Sequence, residues 1–518
     1  MTTLLDLHDE VVATDGDREA FVQPLADGRV RRITFAQWAA HADGVSQKLI
    51  ADGVQPGDVV AIHMASSIDY AIAFNAILRA GAIATGINPR LGSSEIAHIN
   101  DRGRPVQTLT ALPDYEMGDP QARRVNITNT DPVAIVWTGG TTGMPKGAWF
   151  DHRCLEAMAE GAAPLSAFGD RRLSPLPFAH VGYMTRMWDE LSHRVSTIIV
   201  PSPWTAEGAL RVIESERVSV CQGVPTQYRL MFDHPLAADI DVSSLRIAGI
   251  GASRIPPELV IEMQEILKCP VVVRYASTES CLATGTRLDD DVETICGTVG
   301  RPNGGVQVRI ADADDRPVGT GLVGNVQIRS RAVMRGYWND PDRMADAFTP
   351  DGFVRTGDLG SLDANDNLRL AGRSTEMYIR GGYNVYPIEI ENCLGEHPGV
   401  AAAAVLGTRV DDRLGEIGVL FAVTVPGTDL SLDEVRGFVS DRLANYKAPD
   451  ALIEVEQLPV TPIGKVDRKA LPDPLDALSG TTADVSGAEK LSPEQLPKTA
   501  QETKMAETWR ALLQLDRV

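Results

Sequence analysis

Apolar positions along the chain fall into short blocks separated by turn residues. Val59 to His63 follows the turn Pro56-Gly57-Asp58, Val133 to Val136 runs up to Trp137, and Val271 to Val273 makes a third block. Blocks this short, bounded by glycine, proline and aspartate, predict buried strands. Between the first two, Ile68 to Ala80 sets Ala71, Phe74, Ile77 and Leu78 at helical spacing, which predicts a helix with one face on the core. Gly81-Ala82 ends that helix and Asn88-Pro89 marks a turn. Strands and helices alternating in this way predict an α/β fold with a largely parallel sheet. No apolar run approaches the roughly 20 residues that span a bilayer, so membrane insertion is not expected.

Composition narrows the function classes. The chain has 518 residues, 43% hydrophobic and 23% charged, which suits a globular protein of about two or three domains. A net charge of −21 argues against a nucleic-acid surface, which needs clustered lysine and arginine. Nine histidines and six cysteines show no CxxC or HxxxH spacing, so a structural zinc site is not expected. Scattered cysteines fit a reducing compartment, and the first residues lack a basic region followed by an apolar run. A cytoplasmic protein is therefore expected.

The stretch that organises the chain is residues 137 to 147, WTGGTTGMPKG. Gly139, Gly140 and Gly143 let backbone N–H groups turn toward an anion. Thr138, Thr141 and Thr142 add hydroxyl donors, and Lys146 adds a positive charge. The combination suits a polyphosphate. It is not a Walker loop, which needs Gly-Lys-Ser/Thr in succession opening a helix, because Pro145 precedes Lys146 and Gly147 follows it.

Thr138 to Gly147 resembles the phosphate loop of the adenylate-forming superfamily, which includes acyl-CoA and aryl-CoA synthetases and the adenylation domains of peptide synthetases. Gly139 stands where that family usually has serine. Further motifs follow in the family's order, so the resemblance extends to about residue 472. It implies a large N-terminal domain of sheets flanked by helices and a small mobile C-terminal α+β domain. The corresponding residues are 1–374 and 375–472, with the boundary near Gly372-Arg373-Ser374-Thr375-Glu376.

The resemblance also implies roles. Tyr275 of Tyr275-Ala276-Ser277-Thr278-Glu279 would stack on adenine, Thr278 would hold a phosphate, and Glu279 would help to hold Mg²⁺. Carboxylate oxygen suits that hard cation. Ala276 takes the place of a glycine. Gly251, Ala252 and Ser253 would pack on adenine. Asp358 of Thr356-Gly357-Asp358 would accept the ribose hydroxyls, and Arg373 would contact the ribose. Gly223, Val224 and Gly249 would line the acid pocket together with Ala276 and His180. Val181 stands where amino-acid activators carry an aspartate, which implies an acid without an α-amino group. Gly297 to Pro302 and Gly336-Tyr337-Trp338 are landmarks expected to be structural. Lys465 matches the catalytic lysine that reaches both carboxylate and α-phosphate, and Thr375 stands at the hinge position. The cofactors implied are ATP and Mg²⁺, and the reaction is formation of an acyl-adenylate and pyrophosphate.

The acceptor is read from the tail. Residues 473–498, rich in Pro, Ser, Gly, Asp and Thr, predict a linker. Thr499 and Glu502 then form a capping box ahead of Met505, Trp509, Leu512 and Leu513 on one helical face. Residues 499–518 resemble the first helix of an acyl or peptidyl carrier domain, so the chain is expected to be part of a longer synthetase. The product would pass to a carrier's phosphopantetheine thiol. A helix docking on its own domain is the other reading of that segment. Free CoA is the alternative acceptor, and a non-catalytic nucleotide-binding scaffold is the alternative of another class.

Overall fold

The computed structural model describes residues 2–480 apart from 26, 120–124, 139–143, 252–254, 375, 381–382, 412–414 and 462–465. It divides into two units after Leu471. Within the first unit a large N-terminal domain carries three sheets, and a smaller C-terminal domain carries a fourth.

The largest sheet has nine strands. Six of them run parallel: Val271–Ser277, Ile247–Gly251, Val220–Gly223, Arg171–Ser174, Ser196–Ile199 and Glu19–Pro24. The second sheet has four parallel strands, Gln107–Leu109, Val59–Ile62, Ile83–Gly86 and Pro132–Thr138. Antiparallel strands Lys146–Asp151 and Gly336–Tyr337 complete it. A smaller antiparallel sheet joins Gln307–Ala311, Gly324–Arg329, Val354–Leu362 and Leu368–Arg373. In the C-terminal domain Val400–Asp411 and Gly415–Thr424 form a long antiparallel pair.

The three apolar blocks are strands, as their pattern predicts. The helix is Ile68–Arg79, started by Ser67, whose hydroxyl accepts from the Tyr70 N–H at 3.1 Å. Its environment differs from the expectation of one core face. Nearly every residue of the helix is buried, because it packs against Val59–Ile62 and Ile83–Gly86 of one sheet and Glu19–Pro24 of the other. Alanine and isoleucine fill the remaining faces, so the helix serves as a wedge between sheets.

The segment read as a linker also differs at its start. Pro474–Gly480 is helical, with Pro474 in the first turn and the Asp473 carboxylate accepting from the Leu475 N–H at 2.8 Å. The helix expected from Thr499 lies outside the described residues.

One buried histidine ties the N-terminal helix Leu4–Asp15 to the core. Its capping box joins Thr3 and Asp6. The Leu4 N–H, left over at the helix start, donates to Nδ1 of His152 at 3.0 Å. His152 is 2% exposed, and burial pulls its pKa down to about 4. A depressed histidine contributes stability that is complete above its unfolded pKa and is lost as pH falls toward the folded value. Between pH 7 and pH 5 the loss should be about 2 kcal/mol. His152→Asn keeps an acceptor that does not titrate. Urea unfolding at the two pH values should show a smaller drop in midpoint for this variant than for the wild type. Equal drops would mean that His152 is not the group that titrates.

Candidate active site

Ligands of open α/β sheets bind outside the carboxyl ends of parallel strands. Here those ends gather the expected motifs from separate parts of the chain. Ser174, Gly223, Gly251 and Ser277 end strands of the large sheet, and Thr138 ends one of the second. The segment that contains His180 lies at the junction of the two sheets. A Cβ on Gly86, at the end of its strand, would stand 2.8 Å from the Ala179 Cα.

After Thr138 the chain returns as an antiparallel strand, with Thr138 opposite Lys146. Thr138 and Lys146 therefore pair at the base of a hairpin, where a Walker loop would lead into a helix. Gly139, Gly140, Thr141, Thr142 and Gly143 lie outside the described residues. The base of the hairpin is defined: Thr138 is buried, and the Trp137 indole N–H donates to the Thr85 hydroxyl at 2.7 Å. Gly147 is a glycine for packing, since a Cβ there would lie 3.1 Å from the Trp137 ring. The Lys146 ammonium stands 5.3 Å from the centre of the Tyr337 ring.

Tyr337 makes the connection that the motifs alone do not show. Paired beside Ala148, it donates its hydroxyl to Oε1 of Glu279 at 2.8 Å. The Met334 N–H holds the Glu279 carbonyl at 2.9 Å. Thr278 and Glu279 occupy the tight turn between Val271–Ser277 and Cys281–Gly285. Ser277 and Ser280 lock that turn by bonding each other's N–H and hydroxyl groups. Cys281 leaves it at φ +54°, a left-handed conformation that non-glycine residues adopt at a cost. Glu279 stays half-buried with its carboxylate beside the Lys146 strand, and Ala276 is exposed at the edge.

A second cluster joins the large sheet to the small antiparallel one. The Tyr275 hydroxyl donates to Oδ2 of Asp358 at 2.5 Å, and Arg373 Nε lies 3.0 Å from Oδ1. Burial, then the Asp358 charge, push the Tyr275 phenol well above its ordinary pKa, so it remains the donor. Burial works against the Arg373 charge, but Asp358 and Glu376 outweigh it and hold the pKa above its usual value. Each Asp358 oxygen carries two acceptor sites, so a carboxylate engaged in this way still has capacity for a diol. The Tyr275 ring belongs to the apolar cluster with Ala283, Ile310 and Val326, and the residue is 7% exposed.

Among the adenine-side residues, Gly251 is required for strand approach, since a Cβ would stand 2.4 Å from the Arg274 carbonyl oxygen. Ala252 and Ser253 lie outside the described residues. On the acid side, Gln222 lies opposite Gly249 in the sheet register, and Val224 leads into the helix Pro225–Phe232. A Cβ on Gly249 would meet the Leu165 side chain at 3.1 Å, and one on Gly223 would meet the Tyr228 ring at 3.1 Å. His180 caps the short helix Val181–Met184, its Nδ1 accepting from the Gly182 N–H at 3.1 Å. Val181 is 5% exposed and packs into the main core, so its side chain is an apolar core position. The polar side chain that this turn sends to the strand ends is Arg186, which donates to the Gln222 amide oxygen. Neither Tyr337 nor Arg186 stood out in the sequence as a site residue. The available signals were a tyrosine in a family landmark and one arginine inside the apolar run Val181 to Trp188.

Lys465 and Thr375 lie outside the described residues, but the base of the lysine loop is placed. Val460 bridges Val466, and the Asp467 N–H donates to the Pro459 carbonyl at 2.8 Å. Arg468 then pairs with Glu391 at 2.9 Å and Glu376 at 3.3 Å.

A magnesium ion fits this site in one way only. Among the described residues no group of three or more His, Cys, Asp or Glu side chains could hold a metal by itself. Glu279, with the Thr278 hydroxyl, is the kind of single carboxylate that serves an ion held mainly by phosphate oxygens and water. No helix among the described residues is long and apolar enough to cross a membrane.

Comparison with known proteins agrees with the architecture. The family model for AMP-binding enzymes matches residues 8–116 and 103–338, and the model for the AMP-binding enzyme C-terminal domain matches residues 389–465. The chain is similar to the 3-[(3aS,4S,7aS)-7a-methyl-1,5-dioxo-octahydro-1H-inden-4-yl]propanoyl:CoA ligase of Mycobacterium tuberculosis. The two are 36% identical over 85% of this chain and 94% of the relative. The indoleacetate–CoA ligase of Aromatoleum aromaticum is 31% identical over 84% of this chain and 92% of its own. Among solved structures, ATP-bound MatB from Rhodopseudomonas palustris superposes with a TM-score of 0.82 at 25% identity, covering 90% of this chain and 98% of that one. Both of these relatives are named for ligation to CoA. The chain belongs to the AMP-binding enzyme family, the adenylate-forming superfamily whose motifs it carries in order.

Proposed function

We propose that this enzyme activates a carboxylic acid with ATP and transfers the acyl group to the thiol of CoA. The observation that carries the proposal is the convergence of Lys146, Tyr337 and Glu279 at the carboxyl ends of two sheets, beside the Asp358–Arg373 pair. One group of side chains suits a polyphosphate, and the other suits a ribose.

In the first step an oxygen of the acid attacks the α-phosphorus of ATP, a new P–O bond forms, and pyrophosphate leaves with the electrons of the broken bond. Lys146 and the hairpin donors orient the phosphates, and Asp358 with Arg373 holds the ribose. Lys465 stabilises the charge that grows between the carboxylate and the α-phosphate. Mg²⁺, when bound beside Glu279, supplies further neutralisation of phosphate charge. In the second step the CoA thiol, losing its proton, attacks the acyl carbon and AMP leaves. Positioning and preorganised charge account for such catalysis. The relatives act on acids as different as a bicyclic dioxo-propanoate and indoleacetate. Both are natural members of a first substrate panel.

Lys465→Ala should lower pyrophosphate release by about 10²–10³ while ATP binding, measured by calorimetry, stays within a few-fold. Loss of ATP affinity in step with turnover would assign Lys465 to ground-state binding.

Tyr337→Phe removes one donor from a carboxylate, a change worth about 1.5–3 kcal/mol. The variant should lose roughly 10- to 10²-fold in kcat/KM and need more magnesium for half-maximal rate. An unchanged magnesium requirement would separate Tyr337 from the metal-side role of Glu279.

With CoA present, mass spectrometry should detect acyl-CoA, and removal of residues 473–518 should change neither half-reaction. Accumulation of acyl-AMP without thioester would return the acceptor to a carrier domain.

A further inference from the structure

The face of the large sheet that looks toward the helices His152–Glu160 and Met187–Ser192 is unusually polar for an interior. The register places Arg172, Thr197, Gln222 and Arg274 on it, among Val220, Ile247 and Val272. Two carboxylates descend from the helix Met187–Ser192; both lie closest to Arg172 and favour the Arg186 charge from farther away. Asp189 lies 3.1 Å from Arg172 and 3.0 Å from His193, and it accepts from the Ser166 hydroxyl at 2.8 Å. Glu190 lies 3.9 Å from the same Arg172, and burial pushes its pKa up to about 7, so it supplies less than a full charge. Arg274 is met by neutral acceptors, Asn303 Oδ1 at 3.0 Å and the Ala162 carbonyl at 3.0 Å.

Arg186 is the member of this set with the least support. Its one hydrogen bond goes to the Gln222 side-chain oxygen, and its Nε has no partner. Among the described residues no carboxylate lies within 4 Å of it. A guanidinium enclosed with so little pairing costs several kcal/mol unless something else meets it. Its surroundings indicate where that partner would enter. Thr185 and Met187 on either side are 1% and 0% exposed, and Cys221 beside Gln222 is 0% exposed. Arg186 and Gln222 keep accessible surface, as does Gly223 next to Gln222. Gly249 packs closely beside this pair, since a Cβ there would meet the Leu165 side chain at 3.1 Å and stand 3.5 Å from Gln222 Nε2. Gln222 also directly precedes Gly223 and Val224, which lead out to the reacting end of the site.

We infer that Arg186, braced by Gln222, binds an oxygen acceptor at the far end of the acid, so the preferred substrates carry a distal keto or carboxylate group. This rests on the ligase reading above and adds a substrate class to it. The chemistry is one-sided. Arg186 offers N–H donors alone, and Gln222, its oxygen already engaged, has only its amide N–H groups to add. A distal ammonium is repelled. A plain hydrocarbon tail would displace water from Arg186 and return nothing, and a buried donor left unsatisfied costs about 1–3 kcal/mol.

The test uses the full chain and pyrophosphate release, with acids of six to ten carbons in three forms: the alkanoic acid, the terminal methyl keto acid and the α,ω-diacid. The wild type should favour one or both oxygenated forms over the alkanoic acid by about 10- to 10²-fold in kcat/KM. Preference for the diacid identifies an anion as the partner of Arg186, and preference for the keto acid identifies a neutral carbonyl. Arg186→Met should remove the preference by raising KM for the oxygenated acids more than for the alkanoic acid. Arg186→Lys, which keeps a cation in the buried cluster, should lower the preference several-fold and guards against a folding defect in the methionine variant. An alkanoic acid used as well as its oxygenated counterparts overturns the inference. So does an Arg186→Met variant that folds normally and loses all three forms by one factor, or an Arg186→Lys variant with wild-type preference. Pyrophosphate from no acid at all would sink the ligase reading itself, and this inference with it.

Discussion

The hydrogen bond from Tyr337 to Glu279 is the contact on which the geometry of the site depends. Tyr337 belongs to the edge of one sheet and Glu279 to the end of another, and the two residues are 58 apart in sequence. Joining them sets the distance between the Lys146 ammonium, which faces the Tyr337 ring, and the carboxylate of Glu279. A cation and an anion held apart by an aromatic spacer are kept from pairing with each other. Both charges then remain available for a polyphosphate and its counter-ion. Without the spacer, a lysine and a glutamate at the mouth of one cleft would tend to form an ordinary ion pair, and the site would present a neutral surface.

The opposite arrangement governs the nucleoside end. There Asp358 is paired directly with Arg373 and bonded by Tyr275, so its charge is neutralised before any ligand arrives. This suits recognition of a neutral diol, which needs oriented acceptors more than net charge. The same carboxylate joins the large sheet to the small antiparallel one, so the proposed ribose wall would also be a structural joint.

Much of this was legible in the sequence, and the boundary of legibility has a physical cause. Short apolar blocks marked Val59–Ile62, Pro132–Thr138 and Val271–Ser277, because a strand's burial is written in its own residues. The helix Ile68–Arg79 was legible in its limits, but its cap at Ser67 and its burial on nearly every face were not. Helical periodicity reports one neighbour, and this helix has a sheet on either side. Glu279, Asp358 and Arg373 could be picked out by motif, whereas their partners could not. Tyr337 read as a landmark and Arg186 as one charge in an apolar run, since their roles depend on what the fold brings across to them. The acceptor is legible only in part for a related reason. The capping box and apolar stripe of the tail describe a helix, and a helix alone does not say which thiol the enzyme serves.

The small domain is tied to its catalytic loop by charge. Arg468, three residues after Lys465, pairs with Glu391 in the first helix of that domain and with Glu376 beside the interdomain segment. Burial would lower the Arg468 pKa, and the two carboxylates more than reverse this, so the Arg468 guanidinium stays ionised. A loop held at its base by such pairs travels with the domain that carries it. In the proposed reaction the lysine charge is needed while the acid attacks the α-phosphorus, and it would oppose departure of the AMP anion once the thiol arrives. One displacement of the domain that carries Lys465 would, in that proposed reaction, remove the charge and open the approach for CoA. The two half-reactions then need no second set of catalytic residues.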